Sequence, residues 1–398
     1  MNDRNRKRLI TIIVVVVLAA LIGGGIYLIS RAENNAVDEK IRIAKEKEAQ
    51  EEKTDVQLDA PPIRIRIGDY YYQYDRNIES YLLIGTDGSG NDSEDPEEYT
   101  GDMADFLVLL AVDHRNKTYT ALQIDRNTMM DIPMMNADGT AYASGFQQLC
   151  IAHAYGGNVD MSDQNTVNCV SELLGGLKID GYYTLNMDHI DRINAAVDGV
   201  DVLIEDDFSR EDPSLVQGET IHLTDEQAVS FVRGRMSVGD GENTSRMRRQ
   251  RVYMTAFYDR VKARLREDPG FVNSLYKDMM DIASTNLSGN DVSRITNGLM
   301  SYEGLGVLNI EGENKLGPSL ADGVMRTEFY PDEASVVQVL TQMYNLEKGA
   351  RAESDEEDEE DSEDEEDSEE DEEDSEDDEE DSEDDEDSEE DVADDSDE

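Results

Sequence analysis

Residues 81–124 read YLLIGTDGSGNDSEDPEEYTGDMADFLVLLAVDHRNKTYTALQI, and their pattern decides the fold class. Two near-continuous apolar runs, 81–85 and 105–112, flank a loop dominated by Gly, Asp, Ser and Glu. Short apolar runs without polar alternation are expected of strands covered on both faces. Further strands are predicted at 118–124, 182–186 and 200–205. Helical patterns lie between and after them. One spans 166–174 and is closed by Gly175 and Gly176. A second spans 187–197, with Ile190, Ile193 and Val197 on one face. A third begins at Thr224, where Gln227 completes a capping box. The longest covers 245–266 and is stopped by Pro269. Strands alternating with helices predict an α/β domain over 78–268, a mixed central sheet flanked by helices.

Toward the N-terminus, residues 9–29 carry no charge and are rich in Val, Ile, Leu and Ala. That length spans a bilayer core, and Arg4, Arg6, Lys7 and Arg8 precede it. The imbalance predicts one transmembrane helix, with residues 1–8 cytoplasmic and the rest of the chain extracellular. The run exceeds the apolar core of a signal peptide and lacks a small-x-small cleavage site, so a retained cell-membrane anchor is the expectation. Residues 30–77 read as an extracellular stalk and lead-in. Lys and Glu interleave through 41–53, Pro61 and Pro62 follow, and IRIRIGDYYYQY (63–74) alternates like an edge strand. Residues 269–350 carry further helical patterns, FVNSLYKDMMDIA and DEASVVQVLTQMY, and read as a helical extension or cap.

The formal net charge of −59 is concentrated. From Glu353 onward the chain is Asp, Glu and Ser apart from Val392 and Ala393, with 37 acids and no base, which leaves −22 for the remainder. Such a run repels itself too strongly to collapse onto a core, so 351–398 is expected to be a disordered acidic tail. It reads as a solvated polyanion, or as one that collects divalent cations. A body that is also acidic argues against a nucleic-acid partner. Cys150 and Cys169 either bridge across a loop of about 20 residues or stand as separate buried thiols.

Common catalytic signatures are absent: no P-loop, no G-x-S-x-G and no H-E-x-x-H. The four histidines are scattered and read as surface or structural residues. Arginine stands out instead. Arg233, Arg235, Arg246, Arg248, Arg249 and Arg251 fall within 19 residues of an acidic protein. Clustered guanidiniums bind phosphate well, or else pair with nearby carboxylates. Helical spacing places Arg246, Arg249 and Gln250 near one face. Asp87 follows the first strand and Asp105 opens the next, so the two carboxylates can share a hard cation such as Mg²⁺ with substrate phosphates. The intervening loop partly mimics a calcium hand, but Asp92 stands where that hand needs glycine.

Six motifs occur in order: Gly85-Thr86-Asp87, Met103-Ala104-Asp105-Phe106, Asp125-Arg126-Asn127-Thr128, IAHAYGG at 151–157, Arg233-Gly234-Arg235, and Arg246 with Arg249-Gln250. In these the chain resembles the LytR-CpsA-Psr family of cell-wall glycopolymer transferases. Met103, Asp125, Asn127 and Cys150 depart from the residues usual in those motifs. The resemblance implies a magnesium-dependent phosphotransferase outside the membrane, with Mn²⁺ as the alternative ion. It would move a glycopolymer such as teichoic acid or capsule from a polyprenyl-pyrophosphate carrier to a peptidoglycan hydroxyl. Arg126, Arg233, Arg235, Arg246, Arg249 and Gln250 would form the catalytic phosphate grip, and Asp87 and Asp105 would hold the metal. Two other readings remain: a non-catalytic wall protein that binds the lipid intermediate, and a lipid-pyrophosphate hydrolase.

Overall fold

The structure, a computed structural model, describes residues 62–91, 93, 98–268, 271, 282–287, 295, 301–319 and 323–352. The expected anchor at 9–29, most of the stalk and the acidic tail from 353 lie outside the described residues. Among the described residues no helix is long and apolar enough to cross a membrane.

The strands are β1 (Ile63–Ile67), β2 (Tyr70–Tyr74), β3 (Ile78–Thr86), β4 (Ala104–Asp113), β5 (Thr118–Ile124), β6 (Met129–Met135) and β7 (Ala141–Gln148). They continue with β8 (Gly181–Asn186), β9 (Asp201–Leu203), β10 (Thr220–His222), β11 (Ala283–Thr285), β12 (Glu303–Asn309), β13 (Gly312–Pro318), β14 (Met325–Pro331) and β15 (Glu347–Arg351). The helices used below are α1 (Ile151–Ala154), α2 (Val159–Leu173), α3 (Ile190–Ala196), α4 (Asp225–Arg233), α5 (Asn243–Glu267) and α6 (Glu333–Tyr344).

Six strands form the central sheet in the order β11-β8-β3-β4-β5-β12. Antiparallel pairing joins β3 to β4 and β4 to β5, while β8 runs parallel to β3 and β12 parallel to β5. The sheet is therefore mixed, as the sequence predicts. Both faces are covered, which accounts for the continuous apolar runs. Tyr81, Leu83, Val108 and Leu110 pack on one side with Phe231, Tyr253 and Phe257 from α4 and α5. Leu82, Ile84, Leu107 and Leu109 pack on the other with Val170 of α2 and Leu340 of α6. The capping box at Thr224 and Gln227 forms as expected and starts α4 at Asp225.

The boundary at 268 needs correction. Residues 269–350 were expected to be a helical extension or cap, yet β11 and β12 from that segment are the two edge strands of the central sheet. Tyr344 of α6 is fully buried, and its hydroxyl lies 2.8 Å from Ser80 Oγ on β3. The lead-in also belongs to the fold. β1, β2 and β15 make a three-stranded sheet that brings residues 63–74 against residues 347–351. An edge strand such as EGLGVLN is half-solvated and interrupted by glycines, so it lacks the apolar run that marks β3 and β4.

One irregularity shapes the site. The β3–β4 pairing shifts register between Gly85 and Thr86, so that Gly85 faces Phe106 while Thr86 faces Ala104. A bulge of this kind bends the strand and re-aims the side chains beyond it, here Asp87 and Asp105. Gly85 is needed there, because a Cβ would sit 2.8 Å from the Phe106 Cβ.

Candidate anion site at the mouth of an apolar cavity

Three segments distant in sequence meet around Asp105 at the start of β4. Arg126, just past β5, lies with Nη1 2.8 Å from Asp105 Oδ1, an ion-pair distance that falls short of hydrogen-bond geometry. Arg246, in the first turns of α5, donates from Nη1 to Asp105 Oδ2 at 2.6 Å and from Nη2 to Asn243 Oδ1 at 2.8 Å. Both arginines are buried, at 9 % and 4 % exposure, and in both the Nε is buried without a hydrogen-bond partner. Arg235, beyond the end of α4, likewise has an unpartnered buried Nε. An unmade hydrogen bond at a buried donor costs about 1–3 kcal/mol, so three such donors in one neighbourhood mark a place built for an acceptor that binds from outside.

The electrostatics agree. Burial holds Arg246 below the usual guanidinium range; Asp105 acts against this, and the charges of Arg126 and Arg235 add to it. For Arg126 burial also acts downward, but Cys150 and Asp105 outweigh it and the net shift is upward. Burial raises the Asp125 carboxyl despite lowering contributions from the Asn127 backbone, Asn243, Arg126 and Arg246. Guanidiniums clustered around a single carboxylate form a candidate anion site, and phosphate oxygens match their geometry.

The other end of Arg126 is held by sulfur. Its Nη2 contacts Cys150 Sγ at 2.6 Å and Met103 Sδ at 3.6 Å. Cys150 and Cys169 are both buried and free, so no bridge joins them. Burial pushes the Cys150 thiol up, against the lowering pull of the Arg126 charge.

Asp87 lies in the same neighbourhood, close enough to raise Arg126. Its Oδ1 accepts from the Ser89 N–H at 3.1 Å, the Ser89 hydroxyl at 2.6 Å and the Met103 N–H at 2.9 Å. Arg233 reaches the same loop: Nη2 donates to the Asp87 carbonyl at 2.9 Å, and Nη1 pairs with Asp188. Among the described residues, no cluster of three or more His, Cys, Asp or Glu side chains could hold a metal. A two-carboxylate set suits Mg²⁺ only where substrate phosphates complete its shell.

Beside these groups lies an apolar pocket with about 80 Å³ of free interior space, partly open to solvent, between the sheet and helices α3, α4 and α5. Leu83, Phe106, Leu185, Ile193, Val232, Met254 and Phe257 make its walls apolar, and Gln250 contributes an amide. The walls adjoin the polar site along the chain. Gly85 is two residues before Asp87, Phe106 follows Asp105, Val232 precedes Arg233, and Gln250 is one helical turn after Arg246. Gln250 is 1 % exposed, and both Nε2 and Oε1 lack partners. The combination fits a ligand with an anionic head and an apolar tail.

Arg249 does not join this site. Its Nη1 binds Asp206 Oδ2 at 2.6 Å, its Nε binds the Phe231 carbonyl at 3.1 Å, and its Nη2 binds the Gly234 carbonyl. The expectation that it shares a face with Arg246 and Gln250 is corrected by these contacts: an i+3 position sits roughly 60° round the helix, and the side chain turns from there toward Asp206. It ties α5 to the end of α4. Arg249→Ala is expected to lower unfolding stability by about 3 kcal/mol in urea titrations, with any loss of function tracking loss of fold. Four residues escaped the sequence reading: Cys150 and Met103 as holders of Arg126, Asn243 as a holder of Arg246, and His153, treated below.

The fold and site define an α/β protein with buried arginines gathered on one carboxylate and an apolar pocket beside them. The chain belongs to the LytR-CpsA-Psr family, whose model matches residues 26–345. It is 27 % identical over 244 residues to the Bacillus cereus polyisoprenyl-teichoic acid–peptidoglycan teichoic acid transferase TagU, covering 56 % of this chain and 72 % of that protein. The same identity holds over 222 residues of the like-named protein of Halalkalibacterium halodurans, covering 56 % of this chain and 61 % of that one, so the chain spans less than two thirds of that relative. The crystal structure of protein gbs0355 from Streptococcus agalactiae superposes with a TM-score of 0.54 at 18 % identity, covering 70 % of this chain and 91 % of that one, and shares the fold.

Proposed function

We propose that the protein is a membrane-anchored phosphotransferase that moves a glycopolymer from a polyprenyl-pyrophosphate carrier to a peptidoglycan hydroxyl outside the cell. What carries this reading is the junction of the two halves of the site: the unpartnered guanidinium nitrogens of Arg126 and Arg246 beside an apolar cavity, with Gln250 between them. A polyprenyl diphosphate has the same two halves. The names borne by the TagU relatives support the substrate class. The apolar run at 9–29 supports anchoring, which keeps the site near a lipid-borne donor.

In this reading the acceptor hydroxyl attacks the sugar-side phosphorus, the bond from that phosphorus to the bridging oxygen breaks, and polyprenyl phosphate leaves. Negative charge gathers on the phosphoryl oxygens, so fixed cations and positioning carry most of the catalysis. Arg126, Arg235 and Arg246 take those oxygens. Arg233 holds the Asp87 loop through its carbonyl. Asp87 or Asp105 accepts the proton of the attacking hydroxyl. Mg²⁺, held by Asp87 and Asp105 together with the substrate, would add further charge neutralisation.

The test incubates the full-length chain with a labelled lipid-linked glycopolymer, Mg²⁺ and purified peptidoglycan. Label on peptidoglycan with matching release of polyprenyl phosphate is expected. Release without an acceptor would make it a hydrolase, and tight binding with no release would make it a binding protein.

A further inference from the structure

His153 takes no part in the chemistry above, yet it is 5 % exposed and hydrogen-bonded at both ring nitrogens. Nδ1 lies 2.9 Å from the Asp102 carbonyl oxygen. Nε2 lies 3.2 Å from Asp163 Oδ1, on a carboxylate of 0 % exposure. A carbonyl and a carboxylate only accept, so both ring nitrogens donate: Nδ1 to Asp102 and Nε2 to Asp163. Asp163 is itself fixed by Thr184 Oγ1 of β8 at 2.5 Å and Ser284 Oγ of β11 at 2.6 Å. The imidazole is thus a strut between the interior of the sheet and one backbone carbonyl.

That carbonyl sits where the two acidic residues are tied together. The Asp102 carboxylate accepts from Thr86 Oγ1 at 2.8 Å and from the Gly90 N–H at 2.8 Å. Met103, the next residue, donates its N–H to Asp87 Oδ1 at 2.9 Å and accepts the Asp87 N–H at 3.0 Å. Ala104 then donates to the Cys150 carbonyl at 2.9 Å, and Asp105 follows. Only Met103 and Ala104 separate the strut from Asp105, the carboxylate that Arg126 and Arg246 share. The approach is close: a Cβ on Gly101 would stand 2.3 Å from the His153 carbonyl oxygen.

We propose that His153, oriented by Asp163, is a positioning residue that sets the placement of Asp87 and Asp105 through the Asp102 carbonyl. The proposal rests on the phosphotransfer reading for its effect on rate, but the strut itself is testable without it. Asparagine places its amide nitrogen where His Nδ1 lies, whereas glutamine places it near Nε2. The two variants therefore separate the contact to Asp102 from the contact to Asp163.

Hydrogen exchange of the Gly90 and Met103 amides is measured in the full chain for wild type, His153→Ala, His153→Gln and His153→Asn, beside the transfer assay. Exchange is expected to rise about tenfold in the Ala and Gln variants, the change that goes with losing one hydrogen bond, and to stay near wild type in the Asn variant. Transfer should follow the same order, with the Mg²⁺ concentration for half-maximal rate raised in Ala and Gln. Unchanged exchange in His153→Ala, or equal loosening in Asn and Ala, would overturn the strut. Loosened exchange with an unaltered transfer rate would overturn its positioning role. A wild type that transfers nothing would refute the phosphotransfer reading while leaving the exchange result to judge the strut.

Discussion

Arg246→Met is expected to slow transfer by about 10²–10³-fold while leaving the unfolding midpoint unchanged or slightly higher. The two effects diverge because Arg246 is built for a ligand more than for the fold. Burial acts to lower its pKa, and Arg126 and Arg235 repel it, so its charge costs the fold free energy that a bound anion would offset. Methionine keeps the packing length and relieves the repulsion, and Asp105 retains Arg126 at 2.8 Å. Burial lowers the pKa of Arg249 as well, so the difference between the two lies in their contacts. Arg249 is equally internal, but its donors are taken by Asp206 and by the carbonyls of Phe231 and Gly234. Two arginines three residues apart on one helix should therefore separate cleanly, one into activity and one into stability. Transfer by Arg246→Met within threefold of wild type would remove the phosphate grip from the proposed mechanism.

What could be read from the sequence, and what could not, follows from the range of the interactions. Strands β3 and β4 announce themselves because burial on both faces requires the apolar runs at 81–85 and 106–112, and the start of α4 because its capping box is local in the chain. Asp87, Asp105, Arg126, Arg235, Arg246 and Gln250 stand out through motif order and residue type, and the fold draws them to one end of the sheet. Arg249 misleads because helical spacing assigns a side only within a broad sector, and Asp206, which captures it, is 43 residues away. The edge strands β11 and β12 are hidden by their partial exposure. Residues 129–148 form the β6–β7 hairpin, yet Pro133 interrupts the first strand and most of the second faces solvent.

The departures from the family's motifs acquire a physical meaning only in three dimensions. Cys150 and Met103 are separated by 47 positions in the chain, and both give sulfur to the same Nη2 of Arg126. Sulfur accepts a hydrogen bond more weakly than an amide or carboxylate oxygen. One end of Arg126 is therefore steered without being strongly bound, and its donors stay available to a phosphate. Asn127 is tied into structure through its two oxygens, while its buried Nδ2 has no hydrogen-bond partner. Its carbonyl accepts from the Phe329 N–H at 2.8 Å and its Oδ1 from Gln148 Nε2 at 3.2 Å, which joins β7 and β14 behind Arg126. An amide can make that junction where a carboxylate would bring a buried charge.

Gln250→Leu is expected to raise stability and to lower transfer together. A buried amide with neither Nε2 nor Oε1 bonded carries a penalty of about 1–3 kcal/mol, which leucine of similar volume removes. In a domain of this size each kcal/mol moves the melting temperature by about 2–4 °C. The place of Gln250 one turn after Arg246, on the wall of the apolar cavity, puts the amide where the headgroup of a lipid diphosphate gives way to its chain. Leucine extends the apolar wall, so binding of a long-chain polyprenyl phosphate should persist while transfer falls by about tenfold or more, the loss expected when a polar contact to the reacting phosphates disappears. A calorimetric scan, a lipid-retention measurement and the transfer assay on one preparation decide it. A lower melting temperature would mean that the amide is already bonded in the resting protein. An undiminished transfer rate would mean that the diphosphate lies elsewhere than between Arg246 and the cavity.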